Sequence, residues 1–285
     1  MERIFKSEPN EYAFDDHDFL RSDACRGVRL QIEEMRPELE LIHQRVTSTV
    51  SIFGSARLRS REEAQAILDK ARASLAESPD DSARKTAVRR AERLLENSKY
   101  YDMAREFAGV VSEYDKDPSN GYQFVVVTGG GPGIMEAGNR GAHDHGAPSI
   151  GLSMNLANEQ KSNPYITPEL NFKFHYFAIR KMHFMKRAVA LAAFPGGFGT
   201  MDELFEALTL IQTETVPRIP ILLFGSDFWK GLINWEKFVE EGVISPEDLE
   251  LFRFCDSAEE GWKEIERFYA GKMPYYGGAK VGQDA

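Results

Sequence analysis

The segment Pro195-Gly196-Gly197-Phe198-Gly199-Thr200-Met201-Asp202-Glu203 constrains this chain more than any other. It follows an apolar run, Ala188 to Phe194, and opens a helical pattern, Leu204 to Ile211. That order predicts a strand, a glycine turn and a helix N-terminus. Such a junction aims several backbone N–H groups and the positive end of a helix dipole at one point. The arrangement suits an anion, most often a phosphate. Glycines let the backbone come close to the anion and take φ > 0. Glu203 sits one turn beyond the phosphate seat, which points to chemistry on a phosphorylated small molecule. The same residues admit a structural reading: Thr200-x-x-Glu203 has the spacing of a capping box, and the glycines suit a tight turn.

A second glycine junction, Thr128-Gly129-Gly130-Gly131-Pro132-Gly133, follows the β-branched and aromatic run Tyr122 to Val127. Ile134 to Ala142 then reads as a helix whose small residues, Ala137, Gly138, Gly141 and Ala142, allow close packing. The spacing is not the dinucleotide fingerprint, because G-x-G-x-x-G fails at its last glycine. Nor is it a P-loop, because no Gly-Lys-Ser/Thr follows. Two such junctions on parallel strands of one domain predict a phosphate or nucleotide crevice at the carboxyl ends of the strands.

The chain has 285 residues, 42% hydrophobic, enough for one sizeable core with appendages. Its net charge of −10, with no long Lys/Arg block, argues against nucleic acid as a partner. No apolar run reaches membrane-spanning length, and the polar, acidic start from Met1 to Asp18 has no signal-peptide pattern. Cys25 and Cys255 lack CxxC spacing and read as ordinary thiols of a reducing compartment, so the expected location is the cytoplasm. His143 and His145 read as an exposed pair, and neither a metal nor a cofactor is expected.

Three parts follow. Residues 1–46 form a polar N-terminal arm with one helical stretch, Leu30 to Val46, packed on the body or on another subunit. Residues 47–272 alternate strands and helices. The strands are predicted at Thr49–Phe53, Tyr122–Thr128, Ser149–Ser153, Ala188–Phe194 and Ile219–Phe224, with a short one at Leu251–Cys255 and a closing helix at Ala258–Tyr269. Their continuous apolar character indicates strands buried on both faces, hence an α/β doubly wound parallel sheet. Within this domain, 61–97 reads as two charged helices joined at Ser78-Pro79-Asp80-Asp81, inserted after the first strand. Arg89, Arg90 and Arg93 read as a solvated face of it. Residues 273–285 form a loose tail.

The third chemical element is Phe172 to Arg187, read as a basic helix leading into the strand before Pro195. Arg180, His183 and Arg187 fall on one face at i, i+3 and i+7. A guanidinium fixes a phosphate or carboxylate by a planar fork, and a lysine such as Lys181 supplies a point charge. The alternative is a solvated basic face.

Arg180-Lys181 followed by Pro195-Gly-Gly-Phe-Gly-Thr200-x-x-Glu203 resembles the LOG family of cytokinin-activating phosphoribohydrolases, long mislabelled as lysine decarboxylases. Gly129-Gly-Gly-Pro-Gly-Ile-Met-Glu136 and Phe53-Gly54-Ser55-Ala56-Arg57 resemble that family's motifs after its second and first strands. The resemblance covers about residues 48–270. It implies a Rossmann-like fold and hydrolysis of a purine nucleoside 5′-monophosphate, AMP or an N6-modified AMP, to free base and ribose 5-phosphate. It implies Arg180 and Glu203 as the catalytic pair. Gly196, Gly197, Phe198, Gly199 and Thr200 would hold the 5′-phosphate. Gly130, Gly131, Gly133, Lys181, Thr209 and Glu159 would line the nucleotide site, and the chain would be a homo-oligomer, dimer or hexamer. The arm, the 61–97 insertion and the longer C-terminal part depart from the short plant-like members. Three other readings stand beside this one: a pyridoxal phosphate decarboxylase, for which no segment identifies the lysine, a nucleotide or cofactor carrier, and a nucleotide sensor.

Overall fold

The computed structural model describes residues 12–114, 121–154 and 162–270. Along the chain come α1 (His17–Arg21), α2 (Arg26–His43), β1 (Thr49–Phe53), α3 (Arg61–Glu77), α4 (Ser82–Tyr114), β2 (Val125–Thr128), α5 (Ile134–Asp144), β3 (Ser149–Met154), β4 (Asn171–Phe174), α6 (Phe177–Lys186), β5 (Ala188–Ala193), α7 (Phe198–Gln212), β6 (Ile221–Phe224), α8 (Ser226–Leu232), α9 (Trp235–Glu240), β7 (Phe252–Cys255) and α10 (Ala258–Tyr269). The strands form one sheet in the order β4-β3-β2-β1-β5-β6-β7, and every pairing is parallel. The order reverses between β1 and β5, as in a Rossmann-like doubly wound fold.

The central strands β1, β2, β5 and β6 are buried at every residue because both sheet faces are covered there. All residues of β1 and β5 are buried, and separate apolar clusters pack on the two sides. One contains Leu191, Leu204 and Trp229; the other contains Val50, Phe107 and Phe194.

Three local readings are corrected. The helix expected from Phe172 is a strand at first, β4. Its alternating burial follows the alternation of Asn171, Phe172, Lys173 and Phe174, which suits an edge strand paired with β3. β2 starts at Val125 rather than Tyr122 because Phe124 has φ 53°, which turns the chain; Tyr122 makes an isolated bridge to Val46. The second charged helix does not stop near Asn97. α4 runs on to Tyr114, because Tyr101, Ala104, Phe107, Ala108 and Val111 continue an apolar face at helical spacing. Its first half pairs with α3, and its second half is the crossover from β1 to β2.

The second glycine junction serves the packing of this crossover. Gly133 has φ 73°, and a Cβ there would lie 2.3 Å from the Ser55 carbonyl oxygen. The N–H of Ile134 donates to that same carbonyl at 3.1 Å, so α5 and the loop after β1 are joined at this point. Gly133→Ala is expected to cost about 2–4 kcal/mol through backbone strain and overpacking. Urea unfolding checks this, and a loss below ~1 kcal/mol would show that the junction yields easily. Behind it, a buried network fixes the loop: the Thr128 hydroxyl donates to Asn139 Oδ1 at 2.7 Å, and Asn163 Nδ2 donates to the same oxygen at 2.9 Å.

Candidate active site

The cavity lies where the strand order reverses. The loops after β1 and β5 meet there, with the Ser55 N–H donating to the Pro195 carbonyl at 3.0 Å. It has a volume of about 1210 Å³, and its lining includes Gly196, Gly197, Phe198, Gly199, Thr200, Arg180 and Glu203. These seven residues were all candidates from the sequence.

α7 begins at Phe198 with Gly197 as its N-cap, and no side chain caps it. Thr200 and Glu203 are therefore inside the helix, and the capping-box reading does not hold. The first-turn N–H groups are left for an anion. Nothing lies within 4 Å of a Cβ built on Gly197 or Gly199, and Phe198 is 95% exposed, so the turn is open to a ligand. Gly196 instead packs on Thr200, whose Oγ1 would lie 2.1 Å from an added Cβ.

Glu203 is buried at 7% exposure, and Arg180 Nη2 donates to its Oε1 at 3.2 Å. Burial pushes the Glu203 carboxyl up to about 7 from an ordinary 4.5, against the pull of Lys181 and Arg180. Burial also lowers Arg180, with Glu203 and Asp202 opposing. The Arg180 guanidinium lies over the rings of Phe177 and Phe184, at 5.0 and 5.5 Å, and its buried Nε has no partner among the described residues. A carboxyl poised near neutrality beside a directed guanidinium can exchange a proton with water and stabilise charge of either sign.

Lys181 stands behind this pair. Its ammonium lies 2.6 Å from Glu206, 3.0 Å from Asp202 and 3.9 Å from Glu203. Burial pulls its pKa down, but the carboxylates outweigh burial and hold it charged.

The rest of α6 does not form one ligand-facing basic stripe. His183 is buried beside Phe174, and burial lowers its pKa. Arg187 follows the helix and donates to the Val46 carbonyl at 3.0 Å and to Glu38. The start of α6 is held from outside, because Glu33 accepts the N–H groups of His175 and Tyr176 at 2.9 and 3.0 Å.

Lys181 and four other candidates stand away from the cavity wall. Gly130, Gly131 and Gly133 shape the second junction without lining the cavity; Gly129 and Met135 line it in their place. The Gly130 and Gly131 carbonyls accept hydrogen bonds from Asn163. Thr209 lies farther along α7, and its hydroxyl donates to the Phe205 carbonyl at 2.7 Å. Glu159 lies outside the described residues.

Sequence reasoning missed one wall. Arg93, Asn97 and Tyr100 reach the cavity from α4, and Asp227, Phe228, Leu232 and Ile233 from the α8 region. The i, i+4, i+7 spacing of the α4 trio is readable, but the charged pattern of the sequence ends in its midst, near Asn97. By sequence Arg93 reads as solvated surface, and the structure places it at the cavity instead. Away from the cavity, the His145 imidazole Nδ1 lies 2.8 Å from the Gly141 carbonyl, and His143 packs against Tyr165. Among the described residues there is no group of three or more His, Cys, Asp or Glu side chains placed to hold a metal. No helix among them is long and apolar enough to cross a membrane.

Fold and site together define a Rossmann-like α/β protein with an open helix N-terminus and a buried acid in one crevice. The family described as "Possible lysine decarboxylase" matches residues 135–265. A protein of Arabidopsis thaliana named cytokinin riboside 5′-monophosphate phosphoribohydrolase LOG3 is 29% identical over 145 residues, which is 50% of this chain and 67% of that protein. Another from the same plant, named LOG1 with the same activity, is 34% identical over 90 residues, 31% of this chain and 42% of that protein. The chain is thus similar, over half of its length or less, to plant proteins that carry the LOG name. Among solved structures, a molybdenum cofactor binding protein of Rippkaea orientalis has a TM-score of 0.45 at 14% identity, covering 78% of this chain and 95% of that one. The molybdenum cofactor carrier protein of Chlamydomonas reinhardtii has a TM-score of 0.45 at 13% identity, covering 79% and 99%.

Proposed function

We propose that this protein hydrolyses the N-glycosidic bond of a purine nucleoside 5′-monophosphate, AMP or an N6-modified AMP, releasing the base and ribose 5-phosphate. The observation that carries this reading is the placement of the buried Arg180–Glu203 pair and an uncapped helix N-terminus in one cavity. The named activity of the Arabidopsis relatives supports it.

The 5′-phosphate sits on the N–H groups of the first turn of α7, with the Thr200 hydroxyl beside them. Its binding energy, remote from C1′, positions the ribose. Breaking C1′–N builds positive charge on the ring, as in glycoside hydrolysis. The Glu203 carboxylate stabilises that charge and accepts a proton from the water that adds to C1′. The departing base leaves with the bond's electron pair and takes its proton from solvent. Arg180 holds its proton too tightly to be a general acid, so it orients the substrate and stabilises negative charge. Lys181 helps keep the acidic cluster in place. We place the activity in the cytoplasm, consistent with two buried free thiols.

Chromatography of AMP incubated with the purified protein tests this, with Glu203→Gln as control. Adenine and ribose 5-phosphate from the wild type alone are the expected result. Base released from an N6-modified or other monophosphate, but not from AMP, keeps the reaction and moves the specificity. Tight nucleotide binding with no base released from any monophosphate would overturn the reading in favour of a carrier or sensor.

A further inference from the structure

The helix that carries Arg180 does not hold its own start. Tyr176, the N-cap of α6, makes no side-chain cap, so the N–H groups of His175 and Tyr176 are left to another element. Glu33 of α2 takes them, one on each carboxylate oxygen, at 2.9 and 3.0 Å. Arg29, one turn earlier on α2, donates to the Tyr176 hydroxyl at 3.2 Å, and the Arg26 guanidinium lies 5.9 Å from the centre of the same ring. The far end of α6 is tied as well: Lys186 pairs with Glu34 at 2.7 Å, and Arg187 pairs with Glu38. Arg180 lies between these two anchors. α2 precedes the residues that the family resemblance covers, so that resemblance gives it no role.

We infer that Glu33 is a positioning residue for Arg180: by holding the start of α6 in place, it fixes the aim of the guanidinium at Glu203. Two links carry the effect. The Tyr176 carbonyl accepts the N–H of Arg180 at 3.2 Å, so the residue that Glu33 holds is bonded to the backbone of Arg180. Phe177, next in the chain, presents the ring over which that guanidinium lies at 5.0 Å. A carboxylate suits the task, because its bonds to N–H groups are charge-assisted and the helix dipole favours negative charge at this end. Two bonds at adjacent residues fix the rotation of α6 as well as its place along the axis. The bond that depends on this aim, from Arg180 Nη2 to Glu203 Oε1, is 3.2 Å long. Displacing α6 by about 1 Å away from Glu203 takes it beyond hydrogen-bond range. The inference rests on the reaction proposed above for its kinetic readout alone.

Steady-state kinetics test it, with AMP or whichever monophosphate the wild type cleaves, on Glu33→Ala, Glu33→Gln, Arg180→Ala and the double variant Glu33→Ala/Arg180→Ala. Glu33→Ala is expected to lower kcat by roughly 10- to 100-fold, the range for a catalytic group displaced by about 1 Å. KM changes little, because the phosphate seat on α7 is untouched. Glu33→Gln keeps one acceptor oxygen and recovers part of the loss. In the Arg180→Ala background, Glu33→Ala costs nothing further, because the group that it positions is gone. A merely structural role lowers kcat by the same factor in both backgrounds, and that result overturns the proposal. Wild-type kcat in a folded Glu33→Ala also overturns it. If circular dichroism shows that Glu33→Ala does not fold, Glu33→Gln takes its place in the same cycle. A second measurement needs no turnover. Burial raises the pKa of Glu203, Lys181 and Arg180 oppose this, and Glu206 and Asp202 add to it. Carboxyl carbon NMR of isotope-labelled protein, with Glu203→Gln to identify the signal, is expected to show Glu203 titrating at higher pH in Glu33→Ala than in the wild type. If the wild type cleaves no monophosphate, the proposed reaction falls and this titration alone decides. An upward shift then supports the positioning role, and an unmoved titration overturns it.

Discussion

Glu203→Gln is expected to lower turnover roughly 10²–10³-fold and, at the same time, to make the folded protein more stable above pH 7. Both effects have one cause, the burial that holds the carboxyl up to about 7. Below about pH 4.5 this carboxyl is protonated in the folded and unfolded chains alike and costs nothing. Between about 4.5 and 7 the unfolded chain releases its proton and the folded chain keeps it, so stability falls as pH rises. Above that window the full cost is present, on the order of 3 kcal/mol. Glutamine carries no such cost. Urea unfolding at pH 5 and pH 8 should therefore show the stability difference between variant and wild type shifting in the variant's favour at the higher pH. A difference that does not change with pH would sink the assignment of a buried, near-neutral acid. Turnover gives the second readout. Since the carboxylate is the working form, kcat falls as pH drops through about 7. Glu206 and Asp202 raise the Glu203 pKa, so Glu206→Gln moves this acidic limb to lower pH. A limb that stays in place belongs to another group, such as the substrate phosphate.

Arg180→Ala is expected to cost about 10²-fold in kcat, and Arg180→Lys to recover little of it. The guanidinium works by direction as well as charge. It lies over Phe177 and Phe184, donates to Glu203 at 3.2 Å, and presents a buried, unpartnered Nε. A lysine ammonium has neither the planar fork nor the stacking face. Lys181 does not replace it, because Glu206 and Asp202 already hold that ammonium. Removing Arg180 also takes away a charge that opposes the raised Glu203 pKa, so the acidic limb moves to higher pH. Steady-state kinetics across the pH range measure both effects. Recovery of wild-type turnover by lysine would reduce the role of Arg180 to bulk charge.

The fold was legible wherever local pattern and final environment agree. The apolar runs of β1, β5 and β6 are buried on both faces, and α10 spans the residues its amphipathic period predicted. β4 was not legible, because four residues ahead of a basic helix look helical unless β3 is known to lie beside them. The length of α4 was hidden for a related reason. Its charged first half and apolar second half face different neighbours, so no single period runs through it.

At the site, the glycine turn is readable by itself, whereas Arg180 and Glu203 stand out as a pair only through the family resemblance. Glycine followed by a helix start is a local event, governed by φ, ψ and unpaired N–H groups within a few residues. The open question was whether Thr200 and Glu203 cap the helix or face a ligand, since both arrangements satisfy the same spacing. Tertiary structure removes the cap reading by starting α7 at Phe198, and it buries Glu203 and brings Arg180 from another helix to 3.2 Å. It also decided that Arg93, Asn97 and Tyr100 reach the crevice while Thr209 does not. Residues far apart in the chain meet only when the sheet order reverses between β1 and β5. A carboxyl acquires a pKa near 7 only when that packing removes its water.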